Sequence, residues 1–333
     1  MKKVDKKIMA LTAAIVLLIT SNAYWLSQKS AEKEPDKVLV RFAYQHGFHY
    51  GQPIIMDHLD LVEKWSNGTA VAEYMIIKGG TAQNEAFAAR SLEFGSMGAP
   101  PAIKGVAQGI GIKIFASMGC KQTRIWTWRD DITSLADIKS GDKVNVIALN
   151  SLQQICLIKA FTDLGRTEEE VNEVSAFYAH PDAYQLMEQR EIDVVFASPP
   201  YNAIYDADEK YHCIGDDSSI WGVPLPGSVL VGRIDFVEEH PDIAAAVLMA
   251  WLEATNWINS HPEEASEVIG EVYGYDLSEV WEQWQDAHLT FNPTFGLLAL
   301  QDYVEVMYDV GIIDSKPSEE DLLFTHTRGM LGH

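Results

Sequence analysis

From Val38 onward the chain repeats one pattern: a short run rich in β-branched and aromatic residues, a polar turn, then a helix-forming stretch. Strands separated by helices of about 10–15 residues pair in parallel, because a crossover must carry the chain back over the sheet. Val38–Tyr44 is the first such strand. Gly51-Gln52-Pro53 opens a helix to about Trp65, with proline tolerated in its first turn. Asn67-Gly68 turns the chain into strand 70–77, and Lys78-Gly79-Gly80 forms a tight loop before helix 81–90. Strand 92–95, helix 99–108 and strand 111–117 follow. Ser134 to Asp137 then starts a short helix with a capping-box pattern. Strand 143–149 leads to a helix capped by Asn150 or Ser151 and ended by Gly165. Thr167 to Glu170 is a second capping box. Strand 174–178, helix 181–190, strand 192–197 and a helix from Pro200 to about Asp208 complete the alternation. After strand 228–231 the pattern is helical. Ile243, Val247, Trp251, Ala254 and Ile258 mark one apolar face. Further helices start at Ser260–Glu263 and at Asp276, the latter carrying Trp281, Trp284 and His288.

The first 26 residues stand apart. Lys2, Lys3, Lys6 and Lys7 precede an apolar run from Ile8 to Thr20, the pattern of an export signal, and Ser21-Asn22-Ala23 offers small residues for cleavage. Extended through Tyr24, Trp25 and Leu26, the run reaches about 19 residues, just enough to span a bilayer. A cleaved signal and a retained membrane anchor both fit residues 1–26, and residues 27–37 read as a linker. The basic side stays inside, so the body is expected outside the cytoplasm, in the periplasm or on the outer face of the cytoplasmic membrane. No cysteine lies near the segment, which excludes a bacterial lipoprotein anchor.

The body is strongly acidic. The whole chain carries −23, and removing residues 1–26 leaves 21 basic and 47 acidic residues, a balance of −26. Phosphate repulsion then opposes nucleic-acid binding. Cys120, Cys156 and Cys213 show no metal-binding or redox spacing. Cys156 falls on an apolar helix face, and a Cys120–Cys213 disulfide stays open. Neither Gly-x-Ser-x-Gly nor His-Glu-x-x-His occurs.

Four stretches give the order of parts a familiar look. They are VRFAYQ from Val40, LEFGSMGAPPA from Leu92, ITSLADIKSG from Ile132, and GSVLVGRIDF from Gly227. The last is followed by Glu239-His-Pro-Asp242 and then Asn256 to Ala265. In this order the chain resembles the solute-binding proteins of the nitrate, sulfonate and taurine ABC importers, a family that also includes binders of thiamine pyrimidine precursors. The match runs through most of residues 38–310, and it rests on shared order and spacing, since each motif is mostly structural. The resemblance implies an α/β fold of two Rossmann-like lobes joined by a two-segment hinge, the periplasmic-binding-protein-like type II fold, with a helical C-terminal part on lobe one. It places lobe one at 38–117 plus 225–333 and lobe two at 118–224, with crossings near Ser117–Thr123 and Pro224–Ser228. It further implies no catalysis, no cofactor, a small solute as ligand, an ABC permease and ATPase as partners, and a monomer.

Ligands in open α/β sheets sit beyond the carboxyl ends of the strands. The loops there carry Gln45, His46, His49 and Tyr50 after the first strand, then Gly79 and Thr81, then Ser96, Met97 and Gly98. In lobe two they carry Asn150, Ser151, Ser198 and Tyr201, and Trp221 lies before the return crossing. Free N–H groups at helix starts favour anions. Plain alternatives remain. Asn150 and Ser151 cap a helix whatever else they do, Ser198 belongs to a turn, and Gly98 to a bend. His46 and His49 lack a third ligand near in sequence, so no metal is expected. Trp126 and Trp128 share a strand face and read as packing or as a stacking wall. Asn150-Ser151-Leu152 matches the small Gly-Ser-Thr-like turn of sulfonate binders only in part. The aromatic, histidine-rich first loop suits a flat heteroaromatic ligand such as a thiamine pyrimidine precursor. An enzyme of the same fold and a membrane-anchored sensor domain are the competing functions. The first would need a nucleophile–base pair or metal in the cleft, and the second a separate output chain.

Overall fold

The five strands of the first sheet are β1 (Val38–Tyr44), β2 (Ala70–Ile76), β3 (Phe94–Gly98), β4 (Ile112–Gly119) and, far along the chain, β10 (Ser228–Arg233). Their order in space is β2-β1-β3-β10-β4. The second sheet is built from β5 (Arg124–Thr127), β6 (Val144–Asn145), β7 (Ser175–Ala176), β8 (Val194–Ala197) and β9 (His212–Asp216), in the order β7-β6-β8-β5-β9. This computed structural model describes residues 37–119, 123–223, 225–287 and 289–324. The N-terminal segment 1–26, Cys120, Pro224 and His288 lie outside the described residues. Leu39–His333 form one compact unit, and Met1–Val38 count separately.

Both sheets are mixed, where alternation alone predicts parallel pairing throughout. β1 with β3, and β6 with β7 and β8, are parallel as expected. β10 runs antiparallel to β3 and β4, and β5 antiparallel to β8 and β9. β5 and β10 are the strands that enter a sheet from the other half of the chain. No helix laid over their own sheet precedes them, so nothing dictates parallel entry. β9 and the helix Asp217–Trp221 that follows it escaped the sequence reading, because His212-Cys-Ile-Gly-Asp216 has little β-pattern.

Local signals explain most helix ends. Thr167 Oγ1 accepts from the Glu170 N–H, while Glu170 accepts from the Thr167 N–H, and the helix Glu168–Val174 starts there. Ser134 and Asp137 cap each other around the 3-10 turn Leu135–Asp137. The expected single helix after Gly51 is broken. Asp60 adopts φ 48°, a left-handed conformation, so Gly51–His58 and Leu61–Trp65 are separate helices. The strand expected at 92–95 is displaced to Phe94–Gly98, where pairing with β10 runs on to Ser228↔Gly98.

The long helix Pro241–Ser260 packs on both of those helices, and Pro262–Tyr273 packs on Gly51–His58. The helical C-terminal part therefore rests on the first sheet. The two halves also touch. Leu277–Asp286 lies against Tyr201–Asp206, while Ala99–Ala107 and Leu300–Asp309 lie against Leu152–Asp163. One apolar cluster runs across, with Ile103, Val304 and Met307 from one half and Ile155, Leu157 and Phe161 from the other, all fully buried. Burial at about 25 cal/mol per Å² of apolar surface makes this side of the contact strongly stabilising.

Candidate functional site

The loop after β1 reaches the second half of the chain. Gly47 has φ 130°, and an added Cβ would lie 2.6 Å from the His49 ring and 3.1 Å from the Pro199 carbonyl oxygen. Only glycine lets the backbone fold over His49 so close to Pro199. His49 is 8% exposed, stacks at a tilt on Tyr50 (ring centroids 4.3 Å), and has a buried Nδ1 without a partner. His180, at the start of the helix His180–Glu188, is close enough for its charge to disfavour a charge on His49. Its own Nδ1 is likewise buried and unpartnered, and its ring stacks on Tyr201 at 5.4 Å. Burial, with His180 adding to it, pushes His49 down to about 3, and burial alone pushes His180 down to about 4. Both imidazoles are therefore neutral at ordinary pH.

Around this pair the polar framework is fixed by long-range bonds. Tyr273 Oη donates to the Gln45 carbonyl at 2.6 Å, and Tyr273 packs on His46. Gln45 Oε1 accepts from the Gly79 N–H at 3.2 Å. Tyr50 Oη accepts from Ser228 Oγ at 3.3 Å, and burial raises its phenol to about 12. Gln52 is fully buried, donates to the Met118 carbonyl at 3.0 Å, and leaves Oε1 unpartnered. Ser198 Oγ accepts from Gln153 Nε2 at 3.0 Å in a buried pair.

The expected site residues thus separate into groups. Gln45, His46, His49 and Tyr50 share one loop of the first half, which meets the Ser198–Tyr201 loop of the second at Pro199. Ser96, Met97 and Gly98 lie in β3, paired across to β10, and Ser96 Oγ is buried without a partner. Gly79 and Thr81 are exposed at the start of the helix Gly80–Ala88. Asn150 takes φ 59°, and its N–H donates to Gln154 Oε1 at 2.5 Å. Ser151 Oγ donates to the Val146 carbonyl at 2.7 Å and accepts from the Gln154 N–H, so both its hydrogen-bonding roles are filled within the helix start. Ser151→Ala is expected to cost about 1 kcal/mol of stability in urea unfolding, by the same amount with and without saturating solute. Trp221 is buried, its Nε1 donating to Cys156 Sγ at 3.4 Å and its ring meeting Tyr303 edge-on. Trp126 and Trp128 are in packing roles, donating to Asn202 Oδ1 and the Ile192 carbonyl.

Sequence reading missed His180, Gln52, Gln153, Ser228 and the pair Tyr273 and Tyr275. His180-Pro181 was legible as a helix start, and a titratable residue there was a usable signal. The tyrosines come from the C-terminal helical part, and nothing local connects them to the first loop. Among the described residues no group of three or more His, Cys, Asp or Glu is placed to hold a metal. Cys156 is buried and Cys213 exposed, both as free thiols.

Two mixed sheets, each with one strand that runs antiparallel where the chain arrives from the other half, and polar loops that meet at Pro199 define a two-lobed α/β architecture. Residues 139–272 match the model of the NMT1-like family. Three solved structures share the fold. The periplasmic aliphatic sulphonate-binding protein SsuA of Escherichia coli is 18% identical, with 86% of this chain and 92% of that one covered at a TM-score of 0.70. The periplasmic nitrate-binding protein NrtA of Synechocystis PCC 6803 is 12% identical, with 90% and 86% covered at 0.67. A Candida albicans gene product described as having the generic periplasmic binding protein structural fold is 13% identical, with 84% and 92% covered at 0.60. No curated protein matches the sequence. The chain has the periplasmic-binding-protein fold, and the resemblance read from the sequence holds in both the fold and the matched family model.

Proposed function

We propose that this protein is the extracytoplasmic solute-binding component of an ABC importer, closing on a small solute and delivering it to a permease without chemical change. The observation that carries the reading is the meeting of the His49 and Pro199 loops between two sheets linked by two crossings. Lobes 38–117 plus 225–333 and 118–224 would turn about those crossings, as hinged binding proteins do. The closed shape is what a permease would read. The binding of sulphonate and nitrate by proteins of the same fold supports a small anionic solute. A second reading, a heteroaromatic solute such as a thiamine pyrimidine precursor, is favoured by the rings of His49, Tyr50, His180 and Tyr201. The buried, unpartnered Nδ1 atoms and Ser96 Oγ await groups to pair with, since such atoms cost about 1–3 kcal/mol each if left alone. Export by residues 1–26 places the body outside the cytoplasm.

A thermal-shift screen over nitrate, taurine, alkane- and arylsulfonates, bicarbonate and pyrimidine precursors tests this. A solute at about 100 times its Kd is expected to stabilise the fold by about 2.7 kcal/mol, visible as a rise in Tm of several degrees. No shift with any of them at millimolar concentration would remove the proposal.

A further inference from the structure

A stretch that belongs to neither crossing lies against both of them. The Pro293 carbonyl accepts from the Ser117 N–H at 2.7 Å, near the end of β4. Gly119 has φ 138°, and an added Cβ would lie 1.7 Å from the Thr290 carbonyl oxygen. Two backbones touch there with no room for a side chain. Further along, Gly296 takes φ 67°, and a Cβ on it would lie 2.7 Å from the Pro226 nitrogen and 2.9 Å from the Leu225 carbonyl carbon. Residues 290–296 therefore meet the outgoing crossing at Ser117 and Gly119 and the return crossing at Leu225 and Pro226. Lobe one holds this stretch in shape. Asn259 Nδ2 donates to the Phe291 carbonyl at 2.9 Å, and the buried Phe291 ring stacks on Trp284 at 5.6 Å. Asn292 Oδ1 accepts from the Thr294 N–H and hydroxyl.

The helices on either side of the stretch reach lobe two. Leu277–Asp286, before it, lies against Tyr201–Asp206, and Leu300–Asp309, after it, lies against Leu152–Asp163. Beside the second contact, buried Tyr303 meets the Trp221 ring edge-on at 4.8 Å and donates from Oη to the Pro226 carbonyl at 3.3 Å. A segment of lobe one thus grips lobe two at two places and backs both crossings in between. We propose that residues 290–296 are a strap over the hinge, and that strap and flanking helices hold the lobes together before any solute arrives. This rests on the hinged, two-lobed reading and is independent of which solute binds.

Two bare crossings would leave the lobes free to swing about them. Here, swinging them apart pulls on Gly119 and Pro226, and packed backbone stands directly behind both. It also uncovers the apolar surface that Val304 and Met307 share with Ile155 and Phe161, a cost that grows with the area exposed. Neither restraint needs a solute. The open form is then a minor state of about 10% or less, and a solute meets a cleft already near its final shape. A strap that has lost its tie to Asn259 can yield. One hydrogen bond of ordinary net worth changes the ratio of open to closed about fivefold.

Double electron–electron resonance on the full chain in mild detergent, without solute, reads the lobe separation. One spin label goes on the exposed thiol of Cys213 in lobe two. The other goes on Glu85→Cys, at an exposed position of the lobe-one helix Gly80–Ala88, in a Cys120→Ser background. The protein with its strap unaltered is expected to give one narrow separation. Asn259→Ala and Gly296→Ala should each add a longer one, the open fraction rising about fivefold. Tyr303→Phe keeps the ring, loses the bond to Pro226, and serves if Gly296→Ala does not fold. Thr167→Ala removes a helix cap of similar worth within lobe two and should leave the separation unchanged. A broad or long separation with the strap unaltered overturns the inference and leaves the hinge itself standing. Strap variants that all keep the single narrow separation overturn it too, as does an equal lengthening in Thr167→Ala, which would mark general loosening. Solute binding is tested apart, by the thermal-shift screen, so either reading can fail while the other holds.

Discussion

Replacing Trp251 with alanine is expected to lower the unfolding free energy by about 4 kcal/mol, and Tm by about 10 °C. Trp251 is fully buried on the helix Pro241–Ser260. Its ring stacks against Phe42 of β1 at 6.3 Å, and Phe42 in turn meets Phe94 of β3 and Tyr74 of β2. Its Nε1 donates to the Ser117 carbonyl of β4 at 3.3 Å. One side chain therefore ties the C-terminal helical part to several strands of the first sheet. Alanine would leave a cavity too enclosed to collapse and would take the indole donor away from the Ser117 carbonyl. Trp251→Phe keeps much of the volume and should cost about half as much, the remainder reflecting the lost hydrogen bond. Equal losses for both variants in urea denaturation would show that packing contributes little here.

Glu93→Ala is expected to destabilise the fold by about 3 kcal/mol. Glu93 is 3% exposed at the edge of β3. Its carboxylate accepts from the Arg41 backbone N–H at 2.8 Å and from Arg41 Nε at 2.9 Å, with Arg41 Nη2 on its other oxygen. Arg233 of β10 stands 3.5 Å away and is itself largely buried. Removing the carboxylate takes from Arg41 the partner of its backbone N–H and its guanidinium, and leaves Arg233 with Asp235 as its carboxylate. That penalty exceeds the worth of an exposed ion pair, which is near zero to 1 kcal/mol. A double-mutant cycle with Arg41→Ala should show coupling of more than about 1 kcal/mol. A coupling near zero would mean that water already screens the pair.

The strand β1, the helix start at Ala99, and the capping boxes at Ser134 and Thr167 were legible because each depends on a few adjacent residues. β9 was not, since its pairing with β5 rather than its composition makes it a strand. At the site, His49, Tyr50, Ser198 and Tyr201 could be named from their places at strand ends. Their meeting could not be read, nor could the role of His180, because sequence spacing carries no information about which loops face each other across two lobes.

Local chemistry in the sequence set the alternation of strand and helix, the apolar face of Pro241–Ser260, and the acidic body that follows a basic and then apolar N-terminal stretch. Those properties follow from periodicity, capping and charge within short windows. Tertiary structure alone decided the antiparallel entry of β5 and β10, the burial that keeps His49 and His180 neutral, and the approach of Gly47 to Pro199. Each of these depends on desolvation or on contact between residues distant in the sequence, energies that exist only once the chain has closed on itself.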